Sequence, residues 1–200
     1  MPVVTALRSA GRGRGVRVEL DGELWRTLPL EVVARAGLAQ GRPLERAQLR
    51  VLRRELRRHE ALQASTAALR ARDLSTRELE ERLRRRDIAP AEREAAIEVL
   101  RGAGLVDDER FARSRARTLA DRGYGDAAVL ADLERRGLDA EIVAAALDEL
   151  EPEQARAAAI VARRGGGVAT AKFLARRGFE DDTVEAAMAT GGVELPRALP

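Results

Sequence analysis

The sequence predicts a mainly all-α protein: an elongated array of three tandem three-helix repeats, preceded by a small N-terminal β-hairpin and helix segment. Three observations lead there. Apolar residues make up 45% of the 200 residues but aromatics only 2%, so the interior is built from Leu, Ala, Val and Ile, and the rest is rich in the strong helix formers Arg and Glu. From Leu30 to the end the apolar residues recur with helical spacing. A pattern beginning "LRRRDIAPAEREAAIEVL" at Leu83 returns as "LERRGLDAEIVAAALDEL" at Leu133 and as "LARRGFEDDTVEAAM" at Leu174, which is the mark of a repeat architecture.

Taken in order, residues 1–15 carry Arg8, Arg12 and Arg14 among glycines without periodicity, and read as a flexible basic tail. Residues 16–60 form the hairpin and helix region. Val16, Val18 and Leu20 alternate before Asp21-Gly22, a pair suited to a two-residue hairpin turn, with Trp25 as the plug of its core. "LEVVARAGL" predicts a short helix ending near Gly37, and a long helix, or two abutting ones, follows with Leu49, Leu52 and Leu56 on one side. Repeat 1 covers 61–106, repeat 2 covers 107–150 and repeat 3 covers 151–190, with 191–200 as a C-terminal tail. The leading helices are 61–72, 108–121 and 153–164.

Local chemistry supports these boundaries. Gly137 and Gly178 suit the left-handed position after a helix, and Leu138 and Phe179 follow as the residues that pack back, as Ile88 does in repeat 1. Ser75 and Glu78 have the spacing of a capping box, and Asp126, Asp139 and Asp181 or Asp182 are candidate helix caps. The pairs Ala96/Ile97, Ala146/Leu147 and Ala187/Met188 occupy matching core positions.

The same residues exclude much chemistry. There is no cysteine, so thiolate metal sites and disulfides are out. His59 is the only histidine and sits among arginines as a surface residue, leaving no ordinary nucleophile–base pair. "GGGVATAK" fails the phosphate-loop pattern because Ala171 precedes Lys172 and Phe173 follows it. No catalytic residue, cofactor or metal site is expected, and the chain reads as a non-enzyme. With no signal peptide or membrane span, it reads as a cytoplasmic monomer.

What remains is arginine. Of 36 basic residues only Lys172 is a lysine, and 33 acids reduce the net charge to +3. Arginines cluster on helix faces at Arg50–Arg58, at Arg82–Arg86, and at Arg110, Arg113, Arg117 and Arg122, where spacings of three and four keep them on one side. A planar guanidinium suits bidentate contacts to carboxylate or phosphate. The candidate partner-binding residues are Arg82, Arg85, Arg110, Arg113, Arg117, Arg122, Tyr124, Arg135 and Arg136.

One segment is more specific. In "GLVDDERFARSRA", Gly104 closes a helix, Leu105 packs back, Asp107 or Asp108 caps the next helix, and Phe111 enters the core beside Ala112. This segment resembles the signature of the RecX family of bacterial regulatory proteins. "RDLSTRELEERL" upstream and "RGYG…LERRGLD" and "LARRGFEDDTVEAAM" downstream are similar to the family's other repeats, and together they cover residues 61–190. The resemblance makes Gly104, Leu105, Asp107, Asp108, Arg110, Phe111 and Ala112 family-motif residues of mostly structural role. It implies tandem three-helix repeats and a non-enzymatic regulator of recombination and the SOS response. That regulator would bind the recombinase RecA and its filament on single-stranded DNA, by groove binding or capping, and inhibit ATPase, strand exchange and co-protease activity. Two departures stand out: Ala127 and Ala128 replace basic residues frequent in the family, and Asp87 replaces a glycine. The alternative is a basic helical protein acting directly on nucleic acid; the small net charge counts against that as its sole function.

Overall fold

The computed structural model describes residues 1–11 and 15–191. It is mostly helical, with a small three-stranded antiparallel sheet at the N-terminus. The strands are β1 (Val4–Ser9), β2 (Gly15–Leu20) and β3 (Glu23–Pro29). The helices are α1 (Leu30–Arg35), α2 (Arg46–Ala71), α3 (Thr76–Arg84), α4 (Pro90–Gly102), α5 (Asp108–Asp121), α6 (Asp126–Arg135), α7 (Ala140–Asp148), α8 (Glu153–Arg164), α9 (Val168–Arg176) and α10 (Asp181–Gly191). The chain divides into two compact units. One comprises residues 1–71 with 82–99; the other comprises 72–81 with 100 onward.

In the first unit the predicted hairpin is present. Asp21 and Gly22 both have positive φ, at 50° and 89°, as a two-residue turn of the primed type requires. The sheet has a third strand where a flexible tail was expected. Val4 and Ala6 are buried, Leu7 pairs with Val18 and Ser9 with Val16. The run of β-branched and apolar residues in "VVTALRS" offers an inward face only once β2 is beside it, and the buried end of that pairing, Val4 with Leu20, joins residues 16 positions apart. Asp21 Oδ1 accepts a hydrogen bond from Val3 N at 2.8 Å, and Gly22 N donates to Thr5 Oγ1 at 3.0 Å, so β1 also fastens the turn. Arg12 and Arg14 of the expected tail lie outside the described residues, as does the expected C-terminal tail from 192 on.

Trp25 is not the core plug. It is exposed, because the ladder passes from Val18–Arg26 to Glu19–Leu24 and leaves Trp25 as the unpaired residue of a bulge. Val4, Val16, Val18 and Leu28 fill that space, and Val32, Val33, Leu38, Leu44 and Leu52 complete the core. Full burial of each such side chain contributes about 1.5–3 kcal/mol. The long segment is a single helix, α2, of 26 residues. His59 is half-buried rather than freely solvated, with Nδ1 3.9 Å from Glu31 Oε2.

The second unit contains two helix trios with their own cores. Ala112, Ala116, Leu119, Val129, Leu133, Leu138, Val143 and Ala146 form one. Ala157, Ile160, Val161, Leu174, Phe179, Val184 and Ala187 form the other. The turns that stop their middle helices are alike. Leu138 N donates to Leu133 O and Phe179 N to Leu174 O, with Gly137 and Gly178 at φ 75° and 78°. That is the six-to-one bond of a Schellman turn. Asp87 holds the same conformation, at φ 58°, with Ile88 N donating to Leu83 O, so the substituted turn keeps its shape without glycine.

Two further expectations change. After α4, Leu105 is 55% exposed and Val106, at 2%, is the residue that packs back. Leu105 N and Val106 N both reach Leu100 O, so the chain runs one residue further before it turns inward. Asp126 and Asp139 do not cap their helices with their side chains; Gly125 holds the N-cap position before Asp126, and no side-chain bond is made at Asp139.

Candidate partner-binding surface

The capping groups knit repeats to one another. Ser75 and Glu78 make the predicted capping box, with Glu78 N donating to Ser75 Oγ at 3.1 Å and Ser75 N to Glu78 Oε2 at 3.3 Å. Ser75 Oγ also donates to Arg136 O at 2.7 Å, in the turn after α6. The equivalent position one repeat later is Gly125, whose N–H donates to Arg177 O at 2.9 Å, in the turn after α9. There Gly178 lies directly against Ala128: a Cβ built on Gly178 would stand 2.6 Å from the Ala128 Cβ. The small residues at Ala127 and Ala128, where basic ones were looked for, fit this close approach.

The two aspartates of the motif divide their work. Asp107 caps α5, accepting from Arg110 N at 2.9 Å, whereas Asp108 Oδ1 accepts from Thr76 N at 2.8 Å and caps α3. Glu153, the first residue of α8, repeats the second role. It is buried, and accepts from Asp126 N at 2.6 Å and from Glu180 N at 3.3 Å. Carboxylates at exposed helix starts offset the helix dipole.

On α5 most arginines face carboxylates. Arg110 donates to Gly104 O at 2.9 Å and lies 3.8 Å from Asp107. Arg113 is 3.7 Å from Glu109 and 3.6 Å from Glu149, and Arg117 is 3.1 Å from Glu149. Arg110, Arg113, Ser114, Arg117, Thr118, Asp121 and Glu149 line one shallow groove. Arg122, after α5, is exposed, and Tyr124 is half-buried against the second-repeat core. In the first unit, Arg82 is exposed on the last turn of α3 and Arg85 is exposed just beyond it.

Behind the α5 face is a tighter network that the sequence did not disclose. Asp132 on α6 accepts two bonds from Arg115, at 2.8 and 3.1 Å, and one from Arg136 at 2.8 Å; Arg135 adds a longer one at 3.3 Å. Arg136 also donates to Glu78 at 2.7 Å and lies over the Phe111 ring, 5.8 Å from its centroid. Arg115, hydrogen-bonded to Asp132, holds that carboxyl well below the usual carboxylate range; partial burial opposes the shift and Arg136 adds to it. The same bond raises the Arg115 guanidinium. Arg135 and Arg136 therefore share an internal carboxylate, although Arg135 remains largely exposed, at 72%. Ala112 is fully buried in the second-repeat core. Among the described residues no cluster of acids and histidines could hold a metal ion, and no helix is long and apolar enough to cross a membrane.

The fold and the surface thus define a class: a helical protein of tandem trios interlocked by capping groups, with guanidinium groups on its helix faces. Comparison with known proteins takes this further. Residues 107–147 match "RecX, second three-helix domain". Regulatory protein RecX of Xanthomonas campestris pv. campestris (strain B100) is 38% identical over 98 residues, 49% of this chain and 60% of that one. Regulatory protein RecX of Stenotrophomonas maltophilia (strain R551-3) is 38% identical over 99 residues, 50% of this chain and 61% of that one. The chain thus spans about 60% of the length of these curated relatives. The fold matches a crystal structure of regulatory protein RecX with a TM-score of 0.75 at 18% identity, over 96% of this chain and 95% of that one. It also matches RecX from Lactobacillus salivarius with a TM-score of 0.59 at 19% identity, over 67% and 96%. The chain is thus similar in sequence to RecX proteins over about half of its length, and its fold is similar to theirs over nearly all of it.

Proposed function

We propose that this protein is a non-enzymatic regulator of recombination and the SOS response that binds RecA and RecA filaments on single-stranded DNA. By lying in the filament groove or capping its end it inhibits ATPase, strand exchange and co-protease activity in the cytoplasm. The observation that carries the reading is the match of residues 107–147 to the family's second three-helix domain. That segment includes the α5 face of Arg110, Arg113 and Arg117. The guanidinium groups of Arg113 and Arg117 are pre-positioned by Glu109 and Glu149 at distances of 3.1–3.7 Å, and that of Arg110 lies 3.8 Å from Asp107, exposed pairs that can exchange for a partner's carboxylates. Arg122 and Tyr124 extend the candidate surface within the second unit and Arg135 offers its exposed edge, while Arg82 and Arg85 are separate candidate contacts on the first unit. Arg136 acts through the turn it anchors.

The test is the ATPase of RecA on single-stranded DNA with substoichiometric amounts of this protein. Inhibition is expected, and replacing Arg110, Arg113 and Arg117 together by glutamate should relieve it while the helical ellipticity stays the same. An unchanged ATPase with the unaltered protein would reject the reading.

A further inference from the structure

The N-terminal sheet has two edges, and only one of them is covered. On the outer side of β1, Val4 N donates to Arg42 O at 2.9 Å, Gly41 N to Val4 O at 2.7 Å and Leu44 N to Pro2 O at 2.8 Å, and Val3 bridges to Pro43. β3 is the other edge, and among the described residues no backbone group pairs with its outer side. A strand in this state presents main-chain donors and acceptors that another strand can take up. Two of its side chains, Leu24 and Trp25, are large, apolar and exposed.

The bulge at Trp25 arranges the charges of this edge. Glu23 stands opposite Leu20 and Arg26 opposite Val18, and Leu20 and Val18 are two apart on β2. Residues two apart on a strand share a face. The inserted Trp25 therefore brings Glu23 and Arg26 onto one face, on either side of Leu24, although they are three apart in sequence. Both are exposed, and the arginine–glutamate pairs of the sheet and α1, Arg8 with Glu19 and Arg35 with Glu31, include neither.

Charges on an edge ordinarily exclude a neighbouring strand, because pairing sets each of them against an apolar or like-charged group. One strand escapes that penalty. A copy of β3 laid antiparallel, with a two-fold axis through Leu24, sets Glu23 opposite the second copy's Arg26 and Arg26 opposite its Glu23. The two Leu24 side chains meet at the axis, with Trp25 beside each. Moving the axis one ladder position either way opposes Glu23 to Glu23 or Arg26 to Arg26, so the charges also select the register.

We propose that the outer edge of β3 is the interaction surface for a second copy of this chain, paired antiparallel across Leu24 with reciprocal Glu23–Arg26 contacts. The chain that its sequence reads as a monomer is then in equilibrium with a dimer. This does not depend on the RecA reading or on the α5 face. The seam is short, at the low end of interface sizes, so the dimer forms over micromolar concentrations.

Sedimentation velocity of the full chain at low salt, from about 1 to about 200 µM, measures that equilibrium. Trp25 is the only tryptophan, so its emission and its quenching by acrylamide report the same seam. The unaltered protein should pass from monomer to dimer as Trp25 emission moves to shorter wavelength. R26E and E23R each set like charges together at two places, and each should weaken association about tenfold or more. The double variant E23R/R26E restores both pairs and should dimerise like the unaltered protein. An equimolar mixture of the two single variants should form a heterodimer where neither associates alone. Thermal melts of dilute samples check that these exposed substitutions keep the fold. A monomer at every concentration would overturn the proposal and leave the edge to a strand of another protein. A dimer that survives both single variants, or a double variant that stays monomeric, would overturn it as well.

Discussion

Replacing Gly178 by alanine combines two costs that other turns of this protein allow to be measured apart. The first is backbone strain: Gly178 sits at φ 78°, where a side chain costs about 1 kcal/mol or somewhat more. The second is steric. The new Cβ would lie 2.6 Å from the Ala128 Cβ and 2.7 Å from the Ala128 N, so α6 must move away from the turn after α9. That overpacking costs about 1–3 kcal/mol. The shift also stretches the bonds from Gly125 N to Arg177 O and from Ala127 N to Gly178 O, now 2.9 and 3.2 Å. A total of about 3 kcal/mol follows. Gly104→Ala isolates the first cost, since Gly104 has φ 66° and nothing within 4 Å of its added Cβ; about 1 kcal/mol is expected. Asp87→Gly reverses that cost at the matching turn of the first repeat, where φ is 58°, and should stabilise by up to about 1 kcal/mol. Urea unfolding followed by far-UV ellipticity gives the three values as midpoint shifts at constant slope. Equal losses for Gly178→Ala and Gly104→Ala would refute the close approach between α6 and that turn.

Two further predictions come from the carboxylates. Asp132 has its pKa lowered by Arg115 and Arg136, so its contribution to stability is complete above the ordinary aspartate value near pH 3.9 and is lost as the pH falls toward the depressed folded value. The stability gap between the unaltered protein and Asp132→Asn should thus be widest near neutrality and narrow between about pH 5 and pH 2; a gap constant with pH in thermal melts would contradict the network. Glu153→Ala leaves the N–H groups of Asp126 and Glu180 without their acceptor and should cost about 2–4 kcal/mol in urea unfolding, more than Glu151→Ala at the neighbouring exposed position.

The helices could be read from the sequence because the forces that bound them act over five residues or fewer. The Ser75–Glu78 capping box, the glycines at 137 and 178 and the apolar residues after them each specify a helix end within one turn of chain. The trios follow from the recurrence of that pattern. The starts and ends of α5 and α8 were legible for the same reason. β1 was not, because Val4 and Ala6 acquire an inward face only beside β2, and Trp25 was misplaced because a bulge reassigns faces without changing the sequence pattern.

Which arginine is spent and which is available was decided by tertiary structure alone. Arg115 meets Asp132 across 17 positions and Arg136 meets Glu78 across 58, pairings that no local spacing encodes. By itself the sequence determined where helices begin, end and repeat, since those choices are settled among near neighbours along the chain. Only the folded chain determined that the α5 arginines face carboxylates while Arg164 and Arg177 face rings, because charge pairing depends on distances of a few ångströms between segments far apart in sequence.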